Sequence, residues 1–402
     1  MNTYISRQPV LNRKQLLSGY KLILDPAQAK KMLDAARDES GRHLDGFTDT
    51  LADLSDQSMH FIDWFEALSG KGLHVLSFRE DKPGTVVEIR RNAAVTADQC
   101  RALKEKGFRL AVDSSFYQTG ELGAVSPIFA LADFVTVDFP TVSLAKQKEM
   151  IRKTKHRAMF IADRIETWED WRVARDMDYS LFRGYYFMWP EPGSAAKDIK
   201  SLDACLISIL AELDSPEPSF KKISELIEHD LGLSYRLLRL VNSAYMAPKH
   251  KINSITHALT YLGTRELHQW ISMLLMGGIK SAENSELVKM SLVRGKFMTL
   301  IAEALELPGL GAESFFTGLF SLIDVIFNKD MRELLTGLPL TDNVRNALQG
   351  ETGELSRLLA FVVDYEQARW ASLDGRYPLD RLGEEQLVSL YLQAHQWSKM
   401  LE

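Results

Sequence analysis

Two rhythms divide the chain. Up to about residue 190, short runs rich in β-branched and aromatic residues recur: GYKLIL (19–24), LHVLSF (73–78), VVEIR (86–90), FRLAVD (108–113), FVTVDF (134–139), AMFIAD (158–163) and LFRGYYF (181–187). Helix-like stretches lie between several of them, at 96–106, 141–153 and 167–177. Strand–helix–strand alternation predicts parallel strands joined by crossover helices, and seven or eight such strands predict a (β/α) barrel. The segment falls short of the ~250 residues usual for that fold, so a trimmed barrel is expected, with some helices shortened or missing. Past WPEPGSAAKD (189–198), a Pro-, Gly- and Ser-rich stretch that reads as a linker, the strand signals almost vanish. Apolar residues now recur at helical spacing in KDIKSLDACLISILAEL, SYRLLRLVNSAYM, ITHALTYLG, TRELHQWISMLLMGG, SELVKMSLVRGKFMTLIAEAL and ESFFTGLFSLIDVIF. Gly263, Gly277, Pro308 and Pro339 punctuate them. The expected organisation is α/β plus all-α: a barrel over 1–192, a linker over 193–197 and a helical domain over 198–402.

Composition narrows the function. The 402 residues are 46% hydrophobic and 25% charged, enough for each half to bury a core, with a formal net charge of -6. That balance argues against broad nucleic-acid binding, which normally shows as a basic domain. Cys100 and Cys205 are the two cysteines, too few and too far apart for a disulfide framework. The opening MNTYISRQPVLNRK has no apolar core of signal-peptide type. The run WISMLLMGGI is far below the ~20 residues a spanning helix needs. A cytoplasmic protein with no membrane partner is expected.

Several stretches of the first half, ISRQPVLNRKQLLSGYKLIL, VDSS, VTVDF, ADRIET and LFRGYYFMWPEP, fall in the order seen in the EAL family, whose members are cyclic di-GMP phosphodiesterases, and this half resembles that family. The second half resembles the HDOD domain, a helical relative of HD-type metal phosphohydrolases, on DLGLSYRLLRLVNSA, INSITHALTYLG, FFTGLFSLIDVIF and LLTGLPL. The resemblance implies a trimmed TIM-like barrel of EAL type followed by an all-helical HDOD domain.

Two-metal phosphodiester hydrolysis needs carboxylates to hold two oxygen-seeking divalent cations, and in a barrel such groups stand at the C-terminal ends of the strands. Compared with the EAL pattern, the first motif loses both functional positions. Lys21 stands for a metal-binding glutamate and Asp25 for a phosphate-facing arginine. A protonated lysine has no lone pair to offer a cation. It would instead occupy the metal's place and neutralise the remaining acids. The resemblance further implies Ser77 in place of an asparagine ligand, Ser114 in place of the second of two aspartates and Thr136 in place of a lysine. A remnant acidic cluster is left at Glu88, Asp113, Asp138, Asp163 and Glu166. Each acid has a plainer reading as a helix cap or as the partner of a nearby base, with Lys21 and Arg183 as candidate bases. Arg183, in place of a glutamine, is also the candidate nucleotide contact, beside Tyr185, Tyr186 and Trp189. Loss of the motif arginine at position 25 weighs against cyclic di-GMP binding.

In the helical half, His229-Asp230 is an adjacent His-Asp pair of the kind HD enzymes use for metal. At the start of LGLSYRLLRL, Asp230 reads better as a helix cap, and no metal site is expected. Asn242 and Ser243 read as a turn device ending a helix. Trp270, Met273, Leu274, Phe315, Phe316, Leu319 and Phe320 read as core. The expectation is a non-catalytic bacterial signalling protein without a cofactor. It would act on an unidentified protein partner, through the HDOD domain, in cyclic di-GMP-related control of motility, biofilm formation or virulence, with self-association as a homodimer left open. The alternative is a weakly active or cyclic di-GMP-binding phosphodiesterase using Mg²⁺ or Mn²⁺.

Overall fold

The computed structural model describes residues 4–24, 58–64, 84–91, 93–117, 126–195, 204–213, 217–243, 246, 248, 251–278, 284–307, 310–336, 340–373 and 379–399. Eight strands close a barrel in sequence order: β1 (Ile5–Asn12), β2 (Leu17–Leu24), β3 (Met59–Asp63), β4 (Thr85–Ile89), β5 (Arg109–Asp113), β6 (Phe134–Asp138), β7 (Met159–Asp163) and β8 (Leu181–Arg183). β1 runs antiparallel to both its neighbours, and the other pairings are parallel. The strand expected at 73–78, and Ser77 with it, lies outside the described residues, as does Asp25. The strand that bridges β2 and β4 is instead Met59–Asp63, the MHFID stretch.

Helices α1 (Ala97–Glu105), α2 (Leu144–Thr154) and α3 (Trp168–Asp176) follow β4, β6 and β7. Thr96 and Thr167 cap α1 and α3 by accepting from the backbone N–H of Gln99 and Asp170, which fixes where each crossover turns into helix. After β5 the described connection holds only 3₁₀ turns at Ser114–Phe116 and Phe129–Leu131, in keeping with the expected trimming.

Strand alternation builds the interior in layers. Val10, Phe61, Val86, Ala111, Phe134, Ile161 and Leu181 form one buried apolar layer. Because strand side chains repeat every second residue, the next inward positions toward the C-terminal ends are Asp63, Glu88, Asp113, Thr136, Asp163 and Arg183. On β2, Gly19 pairs with Val10 and Lys21 with Gln8, so Lys21 has the same inward parity. One register therefore sets seven functional-type residues at one level above an apolar floor.

The chain divides into two compact units, Met1–Gly193 together with Ala360–Glu402, and Ser194–Leu359. The last stretch, which its helical pattern places with the second half, thus groups with the barrel. Ser6 on β1 donates to the Glu366 carbonyl at 2.6 Å, and the Tyr4 ring stacks on Trp370 and meets Tyr365 edge-on. Aromatic contact from Tyr4, just before β1, holds this segment, a long-range pairing that local periodicity does not register.

The second unit is helical: α4 (Ala204–Leu213), α5 (Phe220–Glu228), α6 (Leu231–Val241), α7 (Ile255–Gly278), α8 (Ser285–Ala304), α9 (Leu310–Phe320), α10 (Ile323–Phe327), α11 (Met331–Leu335) and α12 (Asp342–Leu348). α13 (Glu354–Glu366) contains the second boundary, and α14 (Leu379–Leu382) and α15 (Glu384–Lys399) belong to the barrel unit. Gly263, at φ +75°, breaks α7. Asp230 caps α6 by accepting from the Leu233 N–H at 2.9 Å. Asn242 ends that helix, donating to the carbonyls of Leu238 and Ile252 and accepting from the Ile252 N–H. Trp270 and the Phe315–Phe320 stripe are core. No helix among the described residues is long and apolar enough to cross a membrane.

One backbone contact fixes the end of β8. Gly184 has φ +145°, and a Cβ added there would lie 1.8 Å from the Ile165 carbonyl oxygen. The same loop is tied by Ile165 N–H donating to the Arg183 carbonyl at 2.9 Å. Gly184→Ala should therefore lower the unfolding free energy by about 1–3 kcal/mol. Urea denaturation of the purified variant checks this, and an unchanged midpoint would contradict it.

Candidate functional site

The mouth of the barrel, at the C-terminal strand ends, is filled by ion pairs. The Lys21 ammonium is 3% exposed and lies 2.7 Å from Glu88 Oε2 and 2.5 Å from Asp63 Oδ1. The Arg183 guanidinium, 1% exposed, crosses from β8 and grips Glu88 with both terminal nitrogens, at 2.8 and 2.9 Å. Its NH2 also reaches Asp163 Oδ2 at 2.9 Å. Arg90, just past β4, donates to Asp63 Oδ1 at 2.7 Å. The connected group is Lys21, Arg90 and Arg183 against Asp63, Glu88 and Asp163, neutral overall. Beside it, Arg164 on the rim, at φ +62°, meets both oxygens of Asp138 at 3.0 and 3.3 Å.

This arrangement follows from inward parity and side-chain length. Glu88 pairs across β4–β5 with Ala111, whose small side chain leaves the barrel centre to longer groups. Arg183 fills it, with its guanidinium 6.0 Å from the Phe61 ring centroid. Burial alone would push the Glu88 carboxyl up, but Arg183 and then Lys21 outweigh it and hold the group well below the usual carboxylate range. Burial likewise works against the Arg183 charge, and Asp163 and Glu88 more than offset it, so its pKa stands above the ordinary value.

The other sequence-selected residues do not join this centre. Asp113 Oδ1 accepts from the Ser115 N–H at 2.7 Å, capping the 3₁₀ turn that Ser114 opens. Thr136 is buried, and its hydroxyl has no hydrogen-bond partner among the described residues. Glu166 is exposed on the rim. The nucleotide-facing role considered for Arg183 meets a side chain whose terminal nitrogens are both engaged internally.

Sequence reasoning missed Asp63, Arg90 and Arg164. A signal was present for the first: MHFID alternates over a short apolar run, and Asp63 sits at its end. Arg90 and Arg164 follow Glu88 and Asp163 closely in VVEIR and ADRIET, and each pairs across to the acid of a neighbouring strand, a relation visible only in register.

Could these residues hold Mg²⁺ or Mn²⁺? Such ions bind carboxylate oxygens at ~2.1 Å and tolerate few substitutes. Both oxygens of Glu88 already accept from Lys21 or Arg183, Asp63 Oδ1 accepts from Lys21 and Arg90, and Asp163 Oδ2 accepts from Arg183. A divalent cation at Glu88 would sit against a buried ammonium and a buried guanidinium, where repulsion is weakly screened. The residues do not fit a metal pair. Among the described residues of the whole chain, no group of three or more His, Cys, Asp or Glu is placed to hold a metal ion. His229-Asp230 belongs to that result, with Asp230 committed to its cap.

Two outcomes test the network. Lys21→Met leaves Asp63 and Glu88 short of a buried partner, and should cost about 3–5 kcal/mol in unfolding free energy by chemical denaturation. A cost near zero would show that the pair is not buried as described. Because the folded Glu88 pKa is depressed, its contribution is fully present above the unfolded carboxyl value of ~4.3 and is lost as pH falls through the folded value. The stability gap between the native chain and Glu88→Gln should therefore be widest above about pH 5 and shrink on acidification. A gap that widens in acid would contradict the assignment.

Residues 199–338 match the HDOD domain model. Over 99% of its length the chain is 27% identical to "Uncharacterized protein YuxH" of Bacillus subtilis, covering 98% of that protein. It is also 27% identical, over 99% of its length, to "Cyclic di-GMP phosphodiesterase CdgJ" of Vibrio cholerae, covering 92% of that protein. Among solved structures, the FimX EAL domain from Pseudomonas aeruginosa bound to c-di-GMP matches 47% of this chain and 91% of that one, at 18% identity and a TM-score of 0.34. With a closed eight-stranded barrel whose first strand is reversed, and a helical unit that contains the HDOD match, the chain resembles an EAL-like barrel fused to an HDOD domain.

Proposed function

We propose that this chain is a non-catalytic regulatory protein of bacterial signalling, working through contacts with other proteins in a process linked to cyclic di-GMP. The observation that carries the reading is the Lys21 ammonium seated on Glu88 and Asp63, with Arg183 closing the other side of Glu88. A cation-assisted hydrolase needs those oxygens free to bind metal and to activate water. Here they bind the protein's own cations, and the barrel mouth is an internally neutral plug. The link to cyclic di-GMP rests on the full-length likeness to a relative named as a cyclic di-GMP phosphodiesterase.

That same likeness favours one second reading, nucleotide binding or slow turnover at the rim. Arg90 and Arg164 are more than half exposed there and are the groups a phosphate would meet first. Both are engaged with carboxylates, so a nucleotide would have to displace Asp63 or Asp138.

Incubation of the purified chain with cyclic di-GMP and either Mg²⁺ or Mn²⁺, followed by chromatography of the nucleotide, separates the readings. The expected result is nucleotide recovered intact. Metal-dependent linear product in molar excess over protein would overturn the non-catalytic reading.

A further inference from the structure

The rim opposite the mouth carries charge that the site leaves unused. Strands β3–β8 begin there, and the β1–β2 turn joins them, because Asn12 pairs with Leu181, the first residue of β8. At this rim Asp178 is shared by two cations from separate segments, Arg13 at 2.9 Å and Lys155 at 3.0 Å. Arg13 also donates to the Arg175 carbonyl at 3.1 Å. The turn, the end of α2 and the end of α3 are thus one surface.

From there the positive charge runs up α2. Residues 146–157 contain Lys146, Lys148, Arg152, Lys153, Lys155 and Arg157 against the single acid Glu149, and all of these side chains are exposed. Glu149 is taken by Lys153 at 2.6 Å. Lys148, Arg152 and Lys155 are spaced i, i+4 and i+7 and stand in one row, which leads to Arg13 and Lys14 on the turn. Lys14, Lys148, Arg152 and Arg157 have no carboxylate partner among the described residues. Like charges at i, i+4 weaken a helix, whereas cations in its last turn, where Arg152 stands, favour it, so the two effects on α2 oppose each other. In a chain of net charge -6 the row is a concentrated strip of the opposite sign.

The chemistry of the strip selects its partner. Single-stranded nucleic acid is held by aromatic faces beside the cations, and the large exposed aromatics among the described residues, Trp189, Tyr235 and Tyr261, lie elsewhere in sequence. A membrane-surface helix needs a broad apolar face, and among the described residues the exposed large aliphatic ones nearby, Leu144 at the start of α2, Met159 at the start of β7 and Val173 on α3, stand on three separate elements. Duplex DNA is held by a domain that is basic overall, through many phosphate contacts, and here the basic residues form one short strip in a chain of net charge -6. A run of carboxylates on another protein fits, because lysines and arginines in a row pair with them one by one and steer their approach.

We infer that the strip formed by Arg13, Lys14, Lys148, Arg152 and Lys155 is the docking surface for an acidic segment of a partner protein. This rests on the reading that the chain acts through protein contacts, and it names the barrel unit, in addition to the HDOD domain, as a place where contact is made.

The test uses the full chain and a short fluorescent peptide of alternating Glu and Ser, titrated by anisotropy at low and near-physiological salt. Binding should weaken with salt. Lys148→Glu/Arg152→Glu should reduce affinity at least about tenfold, while Lys221→Glu/Lys222→Glu on α5, which changes net charge equally, should leave it within about twofold. Both pairs are exposed, and unchanged thermal midpoints confirm folding. Absence of peptide binding, or equal loss in the two variants, would overturn the inference. So would duplex DNA or phosphatidylserine vesicles binding as tightly as the peptide with the same sensitivity to Lys148→Glu/Arg152→Glu. Turnover of cyclic di-GMP is read in a separate assay, so failure of the non-catalytic reading and failure of this one are distinguishable.

Discussion

A carboxylate buried at the centre of a barrel must have a counter-charge, and Glu88 has two, Lys21 from β2 and Arg183 from β8. An isolated carboxylate there would be neutralised or expelled. A metal could have supplied the charge, but here the strands supply it. This choice determines the rest of the mouth. Asp63 and Asp163 are drawn in as the outer partners of the same two cations, and Arg90 balances Asp63 from above. A divalent ion and the buried ammonium compete for one set of oxygens, and only the ammonium is tethered.

The scaffold makes that competition one-sided. Lys21 is held by its register with Gln8 on one side and Phe61 on the other. Arg183 is held by the close approach of Gly184 to Ile165. The C-terminal segment braces the start of β1 through Ser6 and Tyr4, and Tyr185, just past Arg183, donates to the Glu366 carbonyl at 3.4 Å. Strand pairing and the tight backbone contact fix the points from which both cations reach Glu88. Among the described residues, the rims of the barrel and the faces of the helical unit are the places left open to other contacts.

Much of this is legible in the sequence, for identifiable reasons. Short β-rich runs with an acid at or near their ends mark β4 to β7, and Thr96 and Thr167 mark two helix starts. Lys21 inside an otherwise apolar strand is conspicuous because such a charge needs a buried partner. The turn role of Asn242 and the cap at Asp230 also follow from local chemistry. What escapes is non-local. β3 is five residues long and is identified as a strand by pairing on both edges, so Asp63 is not evident as a partner of Lys21. The grouping of 360–402 with the barrel depends on aromatic contacts to residues more than 350 positions away. Arg90 and Arg164 read as ordinary surface arginines until register shows the acids they face.

Manganese electron paramagnetic resonance on the full chain bears most directly on the claim that the protein's own cations fill the mouth. Titrating Mn²⁺ into the native chain should leave the free-ion signal undiminished by any binding that Glu88→Gln abolishes. Stoichiometric loss of that signal with the native chain, restored by Glu88→Gln, would place a metal where Lys21 and Arg183 are described and would contradict the account.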